Sequence, residues 1–335
     1  MADMDIRFEI LYALAARDGR EKTLFGNYLP EARKALARSQ PTNALPELWF
    51  ELPLKGEPWF DFHALTSAED LQPNMEFSPQ STGGYPEVFR WFASAGSEVR
   101  QLALSWDTGS GNAQQPAIQL LTWSFAPDVV CDFLESAGKP DTTEAYRTFV
   151  GSLPDGWFPC YTGIFPARKE HFLRVECIPR GSLQQAYARD PELLQRHLEQ
   201  VGLVDSLPAI ARRCSQMANT PFKLEFQFDV NDSGRATPTF AASLRFACPP
   251  GENGYEFFGQ SDATTKLMQS VQEAGLADDR WRLLPDMSFA ERLSKNGQSR
   301  VLYCYPAFIK IRWREGELLD AKTYLLAGET AVEQC

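Results

Sequence analysis

The sequence, 335 residues long, lacks the features that define several large classes of protein. No apolar run approaches the roughly 20 residues needed to span a membrane, and the start, MADMDIRFEI, has neither the basic end nor the apolar stretch of a signal peptide. The seven cysteines are scattered without a CxxC pair. We therefore expect a soluble, cytoplasmic protein with free thiols, not a membrane protein, a disulfide framework or a zinc site.

Signatures of nucleotide, metal and protease sites are missing as well. GxGxxG, P-loop and HExxH patterns do not occur, and no DDxxD-like run suggests the magnesium clamp of a terpene synthase. The segment DTGSGN at 107–112 resembles an aspartic-protease loop, but it occurs once and is better explained as a hairpin turn. The formal net charge of -11 argues against a nucleic-acid partner, because such partners favour basic domains.

The sequence does contain a recurring order of two strands followed by helices. After N-terminal helices over 5–40, paired strands are predicted at 48–65, 100–123, 160–179, 222–247 and 300–325. Helical patterns separate the pairs, and the last of them includes MSFAERL at 287–293. Short turns make the strands of each pair antiparallel. Since no Pro/Ser-rich linker divides the chain, we predict one α+β domain over 1–335.

Alternating side chains give these strands one apolar and one charged face. In FKLEFQFDV, Phe222 and every second residue after it are apolar, whereas Lys223 and the residues between are polar or charged. An open sheet with helices on one face and water on the other fits this pattern. A closed ten-stranded antiparallel barrel, built from αββα units over about 45–327 with helices outside, fits it too. We favour the barrel, because closure removes sheet edges and leaves room for a ligand.

Cations recur on the charged face, most visibly in FIKIRWREGELLDAKTYL at 308–325. The candidates are Arg174, Lys223, Arg245, Lys310, Arg312 and Lys322. One interpretation is that they pair with Glu176, Glu225 and Asp229 on a solvated sheet face. We favour another, in which the set binds a polyanion inside the barrel, because so many cations on the interior strands of an acidic chain indicate an anion site.

The order of elements resembles that of the ABBA, or PT-barrel, aromatic prenyltransferases, and within them the cyanobactin peptide prenyltransferases. In FELPLK, Glu51 followed four residues later by Lys55 is similar to a first-strand motif of that branch. In AKTYL, Lys322 and Tyr324 are similar to the Lys-x-Tyr of a late hairpin. The resemblance implies a PT barrel that moves a prenyl group from an allylic diphosphate, commonly dimethylallyl diphosphate, to an electron-rich acceptor in natural product biosynthesis. That acceptor would be a Trp, Tyr or indole group of a peptide, as in RiPP pathways, or a small aromatic.

The resemblance also implies roles for individual residues. Glu51 would hold the acceptor and take its proton, with a pKa raised by the cavity. The six cations and Tyr324 would bind the diphosphate as its charge grows on ionisation. The rings expected to shield the allyl cation are those of Trp49, Trp106, Tyr161, Tyr303 and, above all, Tyr324. The sequence requires no cofactor, and Mg²⁺ could accompany the diphosphate, as in some relatives.

Two other functions stay open at this level. One is a non-catalytic barrel that binds an anionic small molecule or a peptide. The other is an unrelated α+β enzyme whose open sheet carries charge on one face. The acceptor, the donor's chain length and the oligomeric state are set by loops and surfaces that these patterns do not encode.

Overall fold

A computed structural model describes residues 2–38, 47–68, 71, 76–79, 82–95, 99–108, 115–122, 125–166, 173–204, 207–246, 258–259, 262–295 and 298–331. Its strands are β1 (Glu47–Pro53), β2 (Asp61–Ser67), β3 (Val99–Trp106), β4 (Ala117–Thr122), β5 (Trp157–Ile164), β6 (Leu173–Pro179), β7 (Lys223–Val230), β8 (Ala236–Arg245), β9 (Phe289–Lys295), β10 (Gln298–Arg314) and β11 (Glu317–Ala331).

Two of the described helices precede β1, and the others lie between strand pairs. In chain order the helices are α1 (Ala2–Ala15), α2 (Leu29–Arg38), α3 (Pro86–Ser94), α4 (Pro127–Ser136), α5 (Thr142–Gly151), α6 (Leu183–Arg189), α7 (Pro191–Gln200), α8 (Leu207–Ala218) and α9 (Asp262–Glu273). A π-helical turn covers Glu21–Phe25, and 3₁₀ turns cover Asp279–Leu283 and Pro285–Met287. Within the described ranges no helix is both long and apolar enough to cross a bilayer.

Ten of the strands close into an antiparallel barrel. Strands β1 to β8 pair in sequence order, β8 pairs with β10, and β10 pairs with β11. The closing ladder joins β11 to β1 and sets Tyr324 opposite Glu51. The predicted closed barrel is therefore confirmed, and the open-sheet alternative is wrong.

Alternation along the strands sends the apolar side chains outward, where they pack against the helices. Phe228 on β7 lies 5.5 Å, ring to ring, from Phe149 on α5. On β1, Phe50 is fully buried and lies 6.2 Å from Tyr12 of α1 and 5.6 Å from Phe25 of the π-helical turn. Because neighbouring residues on a strand face opposite ways, the residues on either side of Phe50 point into the barrel.

The starts of two helices show how local sequence sets element boundaries. Asp190 caps α7 by accepting a hydrogen bond from the Leu193 backbone N–H at 2.8 Å, and Pro191 occupies the first turn. Pro86 occupies the first turn of α3 in the same way. Both starts follow from residues adjacent in the sequence and need no distant partner.

The segment MSFAERL is the clearest error of the sequence prediction. It contributes to strand β9, not to a helix, and β9 pairs with 298–304 of β10. The cause is the length of β10, which has 17 residues and projects beyond its partner β8. The projecting backbone needs a hydrogen-bond partner, which β9 supplies.

Some predicted features lie outside the described residues. These are the end of the N-terminal helices at 39–40, the first barrel residues at 45–46 and the DTGSGN turn at 109–112.

Removing the Phe50 ring should destabilise the fold, since its outward packing joins β1 to the N-terminal helices. We expect Phe50→Ala to lower the free energy of unfolding by about 3–5 kcal/mol. Denaturant unfolding followed by fluorescence measures this loss. Val204→Ala is the control, because that side chain is 71% exposed and should change stability by at most about 0.5 kcal/mol. A Phe50 variant as stable as this control would contradict the packing described.

Candidate active site

The barrel encloses a cavity of about 980 Å³, large enough for a drug-sized ligand. Its walls take residues from both ends of the strands. All six predicted cations line it, and so do four other predicted site residues, Glu51, Tyr324, Trp49 and Tyr161. The alternation seen in the sequence therefore does converge on one interior space.

Glu51 lies at the centre of an ionic cluster. Its Oε1 is 2.6 Å from Lys322 Nζ and 3.7 Å from Lys310 Nζ, and its Oε2 is 3.3 Å from His63 Nε2. The other ring nitrogen of His63 lies 2.6 Å from Ser105 Oγ, which fixes the ring. Closure of the barrel brings this cluster together, because β1, β2, β10 and β11 are neighbours.

The pKa of Glu51 is low, not raised as the sequence predicted. Burial alone raises the pKa of this carboxyl, but the charges of Lys310 and Lys322 and the hydrogen bond with His63 outweigh it. The result is a pKa held well below the usual value, so Glu51 is ionised at neutral pH. Lys310 and Lys322 come from strands distant in sequence, so their effect on the pKa of Glu51 depends on closure of the barrel.

Tyr324 forms the aromatic centre of the same cluster. Its hydroxyl accepts a hydrogen bond from Lys310 Nζ, which also lies 4.6 Å from the ring centroid. Phe308 and Trp49 extend this wall at ring distances of 5.9 Å and 6.5 Å. Burial and the nearby charge of Glu51 raise the pKa of Tyr324 well above its usual value, so the phenol stays neutral.

Four of the cations gather around Tyr324, and we call Arg174, Lys310, Arg312 and Lys322 the inner cation group. Arg174 makes a bidentate pair with Asp229 at 2.7 and 3.1 Å. Arg312 makes a similar pair with Asp320, with Nε 2.6 Å from Oδ1. Burial lowers the pKa of Lys310 to about 8, and the charges of Arg174, Lys322 and Arg312 add to that effect.

One feature of each sequence interpretation of these cations is present in the structure, and anion binding itself stays a prediction. The cations line a common cavity, as anion binding requires, and they also contact carboxylates, as a structural role requires. Bidentate pairing holds each arginine rigidly, since the planar guanidinium matches the carboxylate. The inner cation group is consequently preorganised, and little side-chain freedom is lost when an anion binds.

Lys223 and Arg245 lie apart from the inner cation group. They are Cα partners at one end of the β7–β8 ladder, and Arg245 also pairs across with Phe308 of β10. Lys310 pairs with Ser243, two residues further along the same strands. The predicted set of six thus divides in two, which strand alternation by itself could not reveal.

A pair of carboxyl groups on β6 and β7 was missed as a functional feature. Glu176 lines the cavity and accepts a hydrogen bond from Gln227 Nε2 at 3.2 Å. Burial and the charge of Glu225 raise the pKa of Glu176 to about 8, so it keeps its proton at neutral pH. Glu225 is completely buried, and its Oε1 lies 3.0 Å from Arg245 Nε. The sequence indicates that Glu176 and Glu225 lie on the charged faces of their strands. Their closeness depends on the register of β6 and β7, which the sequence does not give.

Two of the predicted shielding rings lie elsewhere. Trp106 stacks on Phe62 at 4.6 Å in the outer core, because these Cα partners share the face that meets the helices. Tyr303 lies on the projecting part of β10 and donates a hydrogen bond to Glu47 Oε1 at 3.2 Å. Neither ring lines the cavity.

Lys55 also falls outside the site. It follows the end of β1 and donates a hydrogen bond to the Gly275 carbonyl at 2.8 Å. Sequence reasoning missed several rings that line the cavity, among them Trp59 and Phe165. Lys322 Nζ lies 4.6 Å from the Trp59 ring, and the Arg174 guanidinium lies 4.5 Å from that of Phe165. Both rings come from connecting segments, where period-two patterns give no signal.

Comparison with known proteins places the fold. No protein-family model and no curated protein matches the chain. Among solved structures, the chain is similar to the apo form of the prenyltransferase PriB, with a TM-score of 0.54 and 11% sequence identity over 96% of this chain and 95% of that one. Such low identity supports the fold and not the activity. The chain has the PT-barrel fold, with one additional strand, β9.

The carboxyl pair makes the stability of the barrel depend on pH. Between the usual glutamate pKa of 4.5 and the raised pKa of about 8, the folded protein keeps a proton on Glu176 that the unfolded chain has released. The free energy of unfolding therefore falls as the pH rises through this window. We expect Glu176→Gln to remove that fall, as measured by denaturant unfolding from about pH 5 to about pH 9.

Glu192→Gln on the exposed face of α7 is the matched control, and its pH dependence should follow that of the wild type. The free energy of unfolding of the wild type minus that of Glu176→Gln should fall as the pH rises, and a value that stayed constant or rose would contradict a protonated Glu176 in the folded protein.

Proposed function

We propose that this protein is a prenyltransferase that moves an isoprenoid group from an allylic diphosphate to an electron-rich aromatic acceptor. The observation that carries the proposal is the inner cation group around Tyr324 and Glu51, inside an aromatic-lined cavity on a PT barrel. The cavity thus contains cations that can hold a leaving diphosphate and aromatic rings that can shield an allyl cation. It also contains a carboxylate that can accept a proton.

In this proposal the inner cation group holds the diphosphate. Lys310 and Lys322 are adjacent Cα partners on β10 and β11, so both ammonium groups reach the same region of the cavity. Arg174 and Arg312 approach from β6 and β10. As the carbon–oxygen bond breaks, negative charge grows on the diphosphate, and cations already in position in a poorly solvated site lower the barrier.

The aromatic wall is suited to the other product of that ionisation. Tyr324, Trp49 and Phe308 form a contiguous inner surface next to Lys310. Aromatic ring faces attract cations and exclude water. An allyl cation held against this surface would be protected until the acceptor attacks it.

Glu51 is the residue that we propose as the proton acceptor. An alkylated aromatic ring that has lost its aromaticity is a strong acid, so a carboxylate with a low pKa is basic enough to restore it. The position of Glu51 beside Lys310 and Tyr324 would place the acceptor ring against the allylic carbon. His63, hydrogen-bonded to Glu51, holds the carboxylate in place.

The donor that we propose is dimethylallyl diphosphate, and the acceptor is a Trp, Tyr or indole group of a small molecule or peptide. Mg²⁺ could arrive with the diphosphate. Among the described residues no three His, Cys, Asp or Glu side chains are grouped as a metal site. A magnesium ion would bind the diphosphate oxygens, and Asp61, which lines the cavity 4.0 Å from Lys322 Nζ, could supply a further oxygen ligand.

The direct test is to incubate the protein with labelled dimethylallyl or geranyl diphosphate and a panel of Trp, Tyr and indole acceptors, with and without Mg²⁺. Mass spectrometry should detect an acceptor heavier by one prenyl group. Tight binding of the diphosphate without product from any acceptor would support the non-catalytic barrel instead.

Glu51→Gln should separate catalysis from binding. Without the carboxylate we expect turnover to fall by about 10²–10⁴-fold. Affinity for the unreactive analogue dimethylallyl S-thiolodiphosphate should stay equal or rise, because Lys310 and Lys322 lose their competing anion. Calorimetric titration and product analysis measure the two effects. Asp132→Asn on α4, an exposed position, is the control. Turnover by Glu51→Gln equal to that of the wild type would show that Glu51 is not the proton acceptor.

Lys310→Gln should weaken the diphosphate site specifically. Lys322 would still pair with Glu51 at 2.6 Å, so the cluster should survive the loss of one cation. We expect affinity for the same analogue to fall about tenfold or more, the effect of one charge-assisted hydrogen bond. Lys34→Gln, an exposed position on α2, is the matched control. Unchanged affinity in Lys310→Gln would place the diphosphate elsewhere.

A further inference from the structure

A second group of cations lines the same cavity away from the inner cation group. We call Arg180, Lys223 and Arg245 the rim cation group. Arg180 directly follows β6, Lys223 begins β7 and Arg245 ends β8, so all three meet at one end of the barrel. The mechanism proposed above gives this group no role.

The rim cation group is held in place by its surroundings. Gln184 of α6 donates a hydrogen bond to the Phe222 carbonyl at 2.7 Å and accepts one from the Leu224 N–H at 3.0 Å, which fixes the backbone on both sides of Lys223. The Arg180 backbone N–H donates to the Gly156 carbonyl at 2.8 Å.

Two aromatic rings support the guanidinium groups. The Arg180 guanidinium lies 3.7 Å from the Phe158 ring centroid, and the Arg245 guanidinium lies 4.8 Å from that of Phe308. Stacking of this kind limits the motion of an arginine while its N–H groups can still reach a ligand. The rim cation group is therefore preorganised, as the residues of a binding site are.

Two of the described carboxyl groups, Glu225 and Glu176, interact with Arg245 of the rim cation group. Glu225 contacts Arg245, and it is completely buried behind the cavity wall. Glu176 keeps its proton at neutral pH because burial and Glu225 raise its pKa to about 8. Arg180, Lys223 and Arg245 thus place three cationic side chains on this part of the cavity wall.

The position of the rim relative to Lys310 sets the size of the ligand. Arg245 is two residues along β8 from Ser243, the Cα partner of Lys310. Two residues of a strand cover about 7 Å. A compact aromatic molecule with its ring beside Lys310 and Tyr324 could therefore extend one acidic group to the rim.

We propose that the rim cation group binds the carboxylate of the acceptor, so that the substrate is a small aromatic carboxylic acid. This inference rests on the proposed function, because the acceptor ring must meet the allylic carbon at the inner cation group. The two cation groups would then hold the two substrates at opposite ends, the diphosphate at one and the carboxylate at the other. Charge would orient the acceptor as well as bind it.

The test compares indole-3-propionate with its primary amide, which has nearly the same shape without the charge. Calorimetric titration of the whole protein should show the acid binding about tenfold more tightly than the amide, the value of one charge-assisted contact. Arg180→Gln and Lys223→Gln should each reduce that preference. Neither should change the affinity for the amide or for dimethylallyl S-thiolodiphosphate.

Lys34→Gln on α2 is again the control, and it should leave all three affinities unchanged. Arg245 is a poor choice for this test, because its removal would leave Glu225 buried beside no charge and could unfold the barrel. Lys310→Gln provides the opposite pattern, with weaker binding of the thiolodiphosphate and an unchanged preference for the acid.

Equal affinity for acid and amide in the wild type would overturn the inference. So would a loss of thiolodiphosphate binding in Arg180→Gln and Lys223→Gln with the acid preference intact, since the rim would then hold the diphosphate. Absence of prenylated product from every acceptor would count against the proposed function alone, and a preserved acid preference would still support the rim as a carboxylate site.

Discussion

The pairing of β1 with β11 is the constraint on which the site depends. This ladder closes the barrel and sets Glu51 opposite Tyr324, with Lys322 two residues away. A shift of one residue in the register would turn Glu51 toward the helices and Phe50 toward the cavity. Lys310 and Lys322 would then lie side by side without the Glu51 carboxylate. Closure and register together therefore create both the cavity and its charge pattern.

Charge burial explains why the interior contains as many carboxylates as it does. Removing an ion from water costs several kcal/mol, so a barrel lined with cations alone would be unstable. Asp229, Asp320 and Glu51 offset that cost before any ligand arrives. The same pairs hold the cations in fixed positions, which favours binding of an anion of matching geometry. Stability and the proposed function therefore use the same contacts.

The prediction of the barrel worked because period-two alternation is a local property of the sequence. The β7 residues from Leu224 to Val230 show it without interruption, and their apolar members do pack in the core against the helices. Trp106 and β9 were predicted wrongly for a shared reason. The side of the sheet on which Trp106 lies depends on its pairing with Phe62. Strand β9 forms because β10 is longer than β8 and its projecting part needs a partner. Both depend on partners distant in sequence.

The sequence by itself determined which residue types alternate, and hence that cations would share a face on several strands. It also determined the starts of helices such as α7, where Asp190 and Pro191 act locally. Only the tertiary structure decided which charges meet. Register set Glu51 between two lysines and so lowered its pKa, and it placed Glu176 near Glu225 and so raised the pKa of Glu176. A pKa depends on distances across strands, and those distances exist only once the barrel has closed.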